Sequence, residues 1–407
     1  MAGHNYKLLE SLYYDNRDEY MQLYNNRMLD DNCIKLDFYI GDNQAFFMET
    51  AELMKSCMEI ARIDKEIAKL CLDLPGIATK QYANKCLIDE IVITNNIEGV
   101  HSTRKEIGEL LEELKPKIPN RFSGLVHKYL ALNDRLPLTI DNCQDIRNLY
   151  DKMFLDEVIR ENPKDKPDGE LFRKGPVSIL DAKQKEIHEG ILPESKIIDA
   201  MDRAIVILND EKIEPLFRVA IFHYLFGYIH PFYNGNGRLN RFISSCYLSY
   251  ILEPIMGYRL SYTIKENINS YYKGFKIVNK PINKGDITPF IYIYIDIIKE
   301  SAENLRDGLT RRSEQFHKLE GEINALPYGE DGKYCDLYYL LLQAALFSEN
   351  GISIKDLVAM LNISKPTLSN RIRAINEEGL IKETNMDKHK FYSLDIDRMK
   401  DMLDQID

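Results

Sequence analysis

The sequence lacks a long uncharged apolar run, a closely spaced cysteine pair, an internal repeat and a low-complexity tract. Its longest apolar run, "ITPFIYIYIDII", is interrupted by Asp296 and is too short to span a membrane. The first twenty residues show no basic start followed by an apolar run, so we expect no signal peptide. These absences predict a cytoplasmic protein with no membrane partner.

The seven cysteines are scattered, odd in number and without a CxxC spacing, which predicts reduced, mostly buried thiols. No CxxC…H or HExxH pattern indicates a structural zinc site. The net charge of −11 argues against a protein whose whole surface binds nucleic acid, but it leaves room for one small basic module.

Apolar residues recur at helical spacing over most of the chain, which predicts a mainly α-helical protein. One segment is different: residues 177–191 have β-branched ends around a polar middle, which predicts a short hairpin. A break at 324–334 indicates a linker before a C-terminal module. The predicted helices lie at 45–72, 80–97, 105–114, 121–133, 143–158, 197–208, 215–228, 264–278 and 288–319, with a further one beginning near Arg238.

The C-terminal module, residues 335–407, has the pattern of a winged helix-turn-helix. Ser353 is the expected N-cap of one short helix, a second follows the tight turn "NIS", and two alternating strands flank "MDKH". Such modules bind DNA through the second helix or contact proteins, and the sequence leaves both partners open. Cations that favour DNA are Lys365, Arg371, Arg373, Lys388 and Lys390, and the opposing acids are Glu377, Glu378 and Asp387.

The stretch "HPFYNGNGRLNR", residues 230–241, combines a histidine, turn formers and two arginines between apolar helices. Its glycines can adopt positive φ, so successive N–H groups can form an anion nest before the next helix begins. Arg238 and Arg241 share a helical face beside that nest, and guanidinium groups suit phosphate oxygens. His230 is then placed to accept a proton from an incoming hydroxyl. Phe232 is the most apolar residue of the turn and is expected to anchor it in the core. A plain turn with surface arginines is the alternative, and the coincidence of the histidine, the anchor, the nest and the arginines favours a polyphosphate site.

This stretch resembles the signature of the Fic family, HxFx(D/E)GNGRxxR. The resemblance implies a helical core that transfers AMP from ATP to a Ser, Thr or Tyr hydroxyl of a target protein, including the chain itself. By that resemblance His230 is the base that activates the hydroxyl, and Phe232 anchors the loop in the core.

The resemblance also assigns the residues that hold ATP. Gly235, Asn236 and Gly237 match the anion hole for the α- and β-phosphates. Arg238 matches the residue at the β-phosphate, and Arg241 the one that reaches the γ-phosphate. The glycine at 237, where the related Doc-type kinases have a lysine, favours nucleotidyl transfer over phosphorylation.

Asn234 departs from the family pattern, which commonly has Asp or Glu at this position. That carboxylate helps to hold Mg²⁺ between the phosphates, and an Asn offers only a neutral carbonyl oxygen. The resemblance therefore implies ATP with Mg²⁺ or Mn²⁺ as cofactors, and Asn234 as a weaker metal ligand.

The stretch "TNNIEG", Thr94 to Gly99, matches the family's inhibitory pattern (S/T)xxxE(G/N). Glu98 is then expected to pair with Arg241 at the γ-phosphate position, and Thr94 to orient the helix end. The alternative is an ordinary helix C-terminus closed by Gly99.

The predicted hairpin contains "FRKGPVSI", which resembles the family's flap, a strand that pairs with the target segment. Val177, Ser178 and Ile179 are the residues assigned to target docking, and a plain surface hairpin is the alternative. His223 lies within an apolar helix, away from the glycine-rich turn that follows His230, and is interpreted as a core histidine.

The predicted organisation is an N-terminal helical region (1–115) with an inhibitory helix at about 80–98, a Fic core (116–323) and the winged helix module (335–407). The favoured function is autoinhibited protein adenylylation. Two alternatives stay open: removal of AMP from a modified protein, and a DNA-binding regulator whose core senses nucleotide without transfer. Family members often dimerise, so the resemblance also leaves open a homodimer, in which the partner is a second copy of this chain.

Overall fold

A computed structural model describes residues 5–112, 120–134, 138–180, 186–386 and 389–405. Within these residues the protein is mainly α-helical, as the sequence predicts, with three small antiparallel sheets. No helix in the described part is both long and apolar enough to cross a membrane.

The helices up to the motif are α1 (Glu10–Tyr13), α2 (Arg17–Leu29), α3 (Ala51–Asp73), α4 (Gly76–Ile97), α5 (Arg104–Glu112), α6 (Ser123–Leu130), α7 (Cys143–Tyr150), α8 (Asp156–Glu161), α9 (Glu194–Leu208) and α10 (Pro215–Ile229). Those that follow are α11 (Asn236–Ile251), α12 (Leu260–Glu266), α13 (Ile268–Val278), α14 (Thr288–Glu320), α15 (Gly332–Phe347), α16 (Ile354–Leu361), α17 (Lys365–Glu377) and α18 (Ile396–Leu403).

The strands form two hairpins and one three-stranded sheet. The sheet has the order β5-β7-β6, and each hairpin pairs consecutive strands. The strands are β1 (Cys33–Ile40), β2 (Asn43–Met48), β3 (Ser178–Leu180), β4 (Glu186–Glu189), β5 (Ile352–Ser353), β6 (Ile381–Met386) and β7 (His389–Leu394).

The chain divides into two compact units. The first contains residues 1–64, 90–103 and 113–303, and the second contains residues 65–89, 104–112 and 304–407. Each unit groups residues that are distant along the chain, because the units are defined by contacts in space.

The helix predicted from residue 45 begins only at Ala51, because Ala45–Met48 belong to strand β2. All four residues are buried, and β2 pairs with β1. Phe46 also exchanges main-chain hydrogen bonds with the segment 285–287. Such a partner lies far away in sequence, so the local apolar pattern could not distinguish a doubly buried strand from a helix.

Most other predicted helices in the first unit are confirmed, with two refinements. The helix predicted at 143–158 is α7 and α8, joined by a π-helical segment at Asp151–Leu155. The helix predicted at 264–278 is interrupted at Asn267 between α12 and α13.

Helix α10 lies in the core of the first unit, since 12 of its 15 residues are buried. His223 is one of them, and its ring bonds to the hydroxyls of Ser244 (2.8 Å) and Tyr271 (2.7 Å). Burial lowers the pKa of His223 well below its usual value, so the ring is neutral. The interpretation of His223 as a satisfied core histidine is confirmed.

In the second unit, the helices and strands predicted for the C-terminal module are present. The Ser353 hydroxyl accepts the Asp356 N–H at the start of α16, and Gly379 has φ 73° after α17. Two of the predicted cations are engaged locally: Arg371 donates to the Lys333 carbonyl, and Lys390 pairs with Glu383 at 2.7 Å. Lys388 and Asp387 of the predicted wing lie outside the described residues.

Candidate active site

The turn between α10 and α11 is held by its own side chains. His230 ends α10 in the left-handed conformation, with φ 54°. The Asn236 carboxamide accepts the Phe232 N–H at 2.9 Å and donates to the Phe232 carbonyl at 2.7 Å. The Phe232 ring is fully buried and stacks on Tyr150 at a centroid distance of 3.7 Å. This clamp fixes the backbone that carries His230.

The two motif glycines serve different purposes. Gly235 has φ 80°, a conformation that other residues rarely adopt, and it starts α11. The first N–H groups of α11, at Asn236, Gly237 and Arg238, have no acceptor within the helix. A Cβ at position 237 would lie 2.1 Å from the Glu98 carboxylate, so only glycine leaves room for that acid.

Arg241 is held by the end of α4. Its Nη2 lies 2.9 Å from the Glu98 carboxylate and 3.0 Å from the Thr94 carbonyl, and its Nε donates to the Thr94 hydroxyl at 2.8 Å. Burial alone would lower the pKa of Arg241, but Glu98 raises it, and the net direction is upward. Thr94 thus contacts Arg241 directly, through its hydroxyl and its carbonyl.

Arg238 lies in a separate, fully buried pair. Its Nη1 is 2.6 Å from Glu157, and neither side chain is exposed. Burial raises the pKa of Glu157, while Arg238 acts in the opposite direction. Among the described residues, the Nε and Nη2 groups of Arg238 find no acceptor. Buried donors without partners are rare in proteins, and a bound anion or water commonly satisfies them.

A cavity of about 480 Å³ opens beside the motif. Its polar wall includes Glu98, His230, Asn236, Gly237 and Arg241. Aromatic and polar side chains from α12 and α13 form another part of the lining: Lys265, Tyr271, Tyr272 and Phe275. Several predicted site residues are not among the described residues that line this cavity: Thr94, Phe232, Asn234, Gly235 and Arg238.

The electrostatic environment keeps His230 neutral. Burial is the main cause that lowers the pKa of His230 to about 4; the Glu98 carboxylate opposes this shift, and the Arg173 guanidinium adds to it. A neutral imidazole is the form that can accept a proton. The ring therefore has the protonation state of a general base at neutral pH.

Arg173 and Tyr233 support the site, and the sequence did not single them out. Arg173 is fully buried, and its Nε donates to the His230 carbonyl at 2.8 Å. The Tyr233 hydroxyl accepts the Gly175 N–H at 2.7 Å and donates to Asp168 at 2.9 Å. Both residues stand inside quoted motifs, "FRKGP" and "HPFYN", but their partners are 57 to 65 residues away in sequence.

Asn234 faces an acid from a neighbouring segment. Its Oδ1 accepts the Gly235 N–H at 2.6 Å, and its Nδ2 lies 3.4 Å from Asp165. The described residues contain no group of three or more His, Cys, Asp or Glu side chains that could hold a metal by themselves. One carboxylate and one carbonyl oxygen form a donor set that suits Mg²⁺ when phosphate oxygens and water complete the coordination.

The predicted flap is a two-stranded hairpin of β3 and β4, with Ile179 opposite His188. Ser178, Ile179 and His188 line the cavity, and the Val177 carbonyl accepts the Gly190 N–H at the base of the hairpin. Residues 181–185 of the predicted segment lie outside the described residues.

Residues 139–248 match the sequence model of the Fic/DOC family. The protein adenylyltransferase fic-1 of Caenorhabditis elegans is 25% identical over 207 residues, which cover 45% of this chain and 38% of the relative. The protein adenylyltransferase Fic of Drosophila yakuba is 31% identical over 99 residues, which cover 24% of this chain and 18% of the relative. The chain thus spans well under half the length of these curated relatives.

Among solved structures, a Fic family protein from Desulfovibrio desulfuricans G20 aligns with a TM-score of 0.49 at 19% identity, covering 85% of this chain and 96% of that one. The family match and the motif geometry agree on the same segment. The chain therefore contains a Fic/DOC family domain at residues 139–248.

Proposed function

We propose that this protein transfers AMP from ATP to a Ser, Thr or Tyr hydroxyl of a target protein, and to itself. The observation that carries this proposal is the shared cavity of His230, the first turn of α11 and Arg241. A neutral base, the N–H groups of the first turn of a helix and a guanidinium meet there, and these are the groups that adenylyl transfer requires. The names of the two curated relatives support the same reaction.

In the proposed reaction, the target hydroxyl oxygen attacks the α-phosphorus of ATP. A bond from that oxygen to phosphorus forms, the bond to the bridging α–β oxygen breaks, and pyrophosphate leaves. The hydroxyl proton passes to His230, which burial keeps neutral. The chain needs no covalent intermediate, since positioning and charge stabilisation supply most of such catalysis.

The phosphates are assigned to the start of α11. The N–H groups of Asn236 and Gly237 would hold the α- and β-phosphates, with Gly235 permitting the turn. Arg238 would approach the β-phosphate region, and its two donors without acceptors support this role. Arg241 would reach the γ-phosphate. For this, the phosphate would have to replace Glu98 as the ionic partner of Arg241.

Asp165 would hold the Mg²⁺ or Mn²⁺ that accompanies ATP, because it lies next to the Asn234 side chain. Asn234 would add its carbonyl oxygen, which accepts the Gly235 N–H, only by turning that oxygen towards the metal. The metal, when bound, neutralises charge on the phosphates. Asp165 would then provide the carboxylate that position 234 lacks.

We further propose that Glu98 inhibits the enzyme. The ion pair with Arg241 and the close approach to Gly237 support this role, because the proposed position of the phosphate oxygens coincides with that of the Glu98 carboxylate. Removing that carboxylate leaves Arg241 buried without its acidic partner, so a phosphate becomes the favoured replacement. In a protein that removes AMP, the same carboxylate would instead align water, and loss of Glu98 would abolish the reaction.

The test uses ATP labelled in the α- or the γ-phosphate. The Glu98→Gly variant is expected to incorporate the α-label into protein at least tenfold faster than the parent protein, and to incorporate no γ-label. The Glu98→Gly/His230→Ala double variant is the matched control and should incorporate neither. Incorporation of the γ-label alone would reassign the protein as a kinase, and α-labelling that persists in the double variant would reject His230 as the base.

A variant that binds ATP without any covalent transfer would favour the nucleotide-sensing alternative. Incubation of AMP-modified protein with the parent and with Glu98→Gly separates the two directions of the reaction. Release of AMP that requires Glu98 would support the hydrolytic alternative.

A further inference from the structure

The carbonyl groups at the end of α10 are satisfied by the segment that carries the flap. Helix ends leave their last carbonyl groups without partners inside the helix. Here the Ile191 N–H donates to the Ile229 carbonyl at 3.1 Å, and Arg173 donates to the carbonyls of His230 and Pro231 at 2.8 and 3.2 Å. The catalytic candidate His230 thus sits at a helix end that the flap segment closes.

His188 completes this arrangement from within the flap. Its Nε2 lies 3.2 Å from the Tyr228 carbonyl, and its ring stacks on the Tyr228 ring at 4.3 Å with planes 16° apart. The hydrogen bond requires the hydrogen on Nε2, because a carbonyl only accepts. Tyr228 is itself fixed, since its hydroxyl accepts the Gly41 N–H at 3.0 Å.

The position of His188 in the hairpin makes this contact relevant to the flap's register. His188 pairs with Ile179 across the two strands, so both side chains lie on the same face, and both line the cavity with His230. A shift of one residue along β4 would turn the histidine to the other face and break the contact with Tyr228.

We propose that His188 is a positioning residue that fixes the register of the flap relative to His230 through its hydrogen bond to the Tyr228 carbonyl. A target segment that pairs with the flap is thereby placed with its hydroxyl at His230. This inference rests on the proposed adenylyl transfer, because it deepens the role of the same site. Arg173 holds the base of the flap, and His188 holds the strand itself.

Two substitutions separate the hydrogen bond from the stacking. His188→Phe keeps a ring on Tyr228 but cannot donate, whereas His188→Gln keeps a donor and loses the ring. Glu189→Ala, at an exposed position of the same strand, is the matched control. All variants are made in the Glu98→Gly background, and hydrogen–deuterium exchange of residues 176–191 is measured together with ATP affinity and self-labelling.

His188→Phe should raise the exchange rate of the flap amides and lower self-labelling, each by about tenfold, with an unchanged ATP affinity. His188→Gln and Glu189→Ala should stay near the background protein in all three measurements. A merely structural role would lower ATP affinity and self-labelling together, which would overturn the proposal. Unchanged flap exchange in His188→Phe, or a defect in His188→Gln that His188→Phe lacks, would also overturn it.

Flap exchange and self-labelling are measured separately, which keeps this inference distinguishable from the proposed function. If the Glu98→Gly background labels nothing, the adenylyl transfer fails, and with it the role of His188 in placing a target hydroxyl. The exchange rates then still decide whether His188 holds the flap.

Discussion

At the scale of single residues, the site is defined by side chains whose charge is set by burial. His230 is the clearest case, because its neutral form is what proton abstraction needs. Arg241 and Glu98 show the opposite arrangement, two charged groups that stabilise each other next to an open cavity. In the proposed reaction, the site therefore combines a neutral base with an anion position that an internal acid already occupies.

The pKa of His230 is the first residue-scale prediction. Burial lowers the pKa, so the ring should stay neutral from pH 8 down to about pH 5, whereas an unperturbed histidine titrates near 6.5. The unfolded chain takes up this proton at higher pH than the folded chain, so His230 costs stability as pH falls from about 6.5 towards 4. An NMR titration, with the His230 signal assigned by His230→Asn, measures the pKa directly, and a value near 6.5 would contradict the account.

The proposed metal ligands give a second residue-scale prediction. Asp165→Asn removes the carboxylate that lies 3.4 Å from the Asn234 Nδ2, and should lower the Mg²⁺ affinity of the ATP complex by about tenfold. Asn234→Asp should raise that affinity by a similar factor. Calorimetric titration of Mg²⁺ into protein with ATP measures both. Equal affinities for Asp165→Asn and the parent protein would exclude Asp165 from the metal site.

At the scale of elements, hydrogen bonds fix α4 at two positions along its length. Its last turn holds Arg241 through Thr94 and Glu98, and one turn before Thr94 the carboxylate of Glu90 accepts the Ser261 N–H at 2.8 Å and the Ser261 hydroxyl at 2.5 Å. Ser261 lies in the first turn of α12, where N–H groups have no helical acceptor. The helix that carries Glu98 is thereby tied to the wall of the cavity.

Glu90 makes this connection sensitive to pH. Burial raises the pKa of Glu90 to about 7, so its contribution to stability is present below pH 4.5 and is lost as pH rises through 7. Relative to the parent protein, Glu90→Gln should gain about 3–6 °C in Tm between pH 5 and pH 8. The exposed Glu211→Gln is the matched control and should show no such gain. A Tm difference that does not change with pH would show that Glu90 titrates normally.

The elements also show which predictions the sequence supports. The turn at 230–241 was predictable because its glycines, its anchor Phe232 and its helix start act within a few residues. The hairpin of β1 and β2 was missed, since its burial depends on contacts with the segment 285–287. The partner of Arg238 was also hidden, because Glu157 lies 81 residues away and carries no local signal.

At the scale of the whole molecule, the charge of the second unit bears on whether this unit binds DNA. Helix α17 has few exposed cations, because Arg371 donates to the Lys333 carbonyl and lies over the Tyr334 ring. In addition, the chain as a whole is acidic. Phosphate contacts dominate DNA affinity, so we expect this charge distribution to bind DNA weakly. We expect no retardation of genomic fragments in a gel shift at low salt. Salt-sensitive binding that Arg373→Ala weakens would show the opposite.

The central claim, that Glu98 restrains an adenylyl transfer for which His230 is the base, is tested most directly by intact-mass spectrometry. Purified Glu98→Gly protein is incubated with Mg-ATP beside the parent protein and the Glu98→Gly/His230→Ala variant. The account predicts a mass increase of one AMP or more in Glu98→Gly alone. No increase in Glu98→Gly, or the same increase in the double variant, would contradict it.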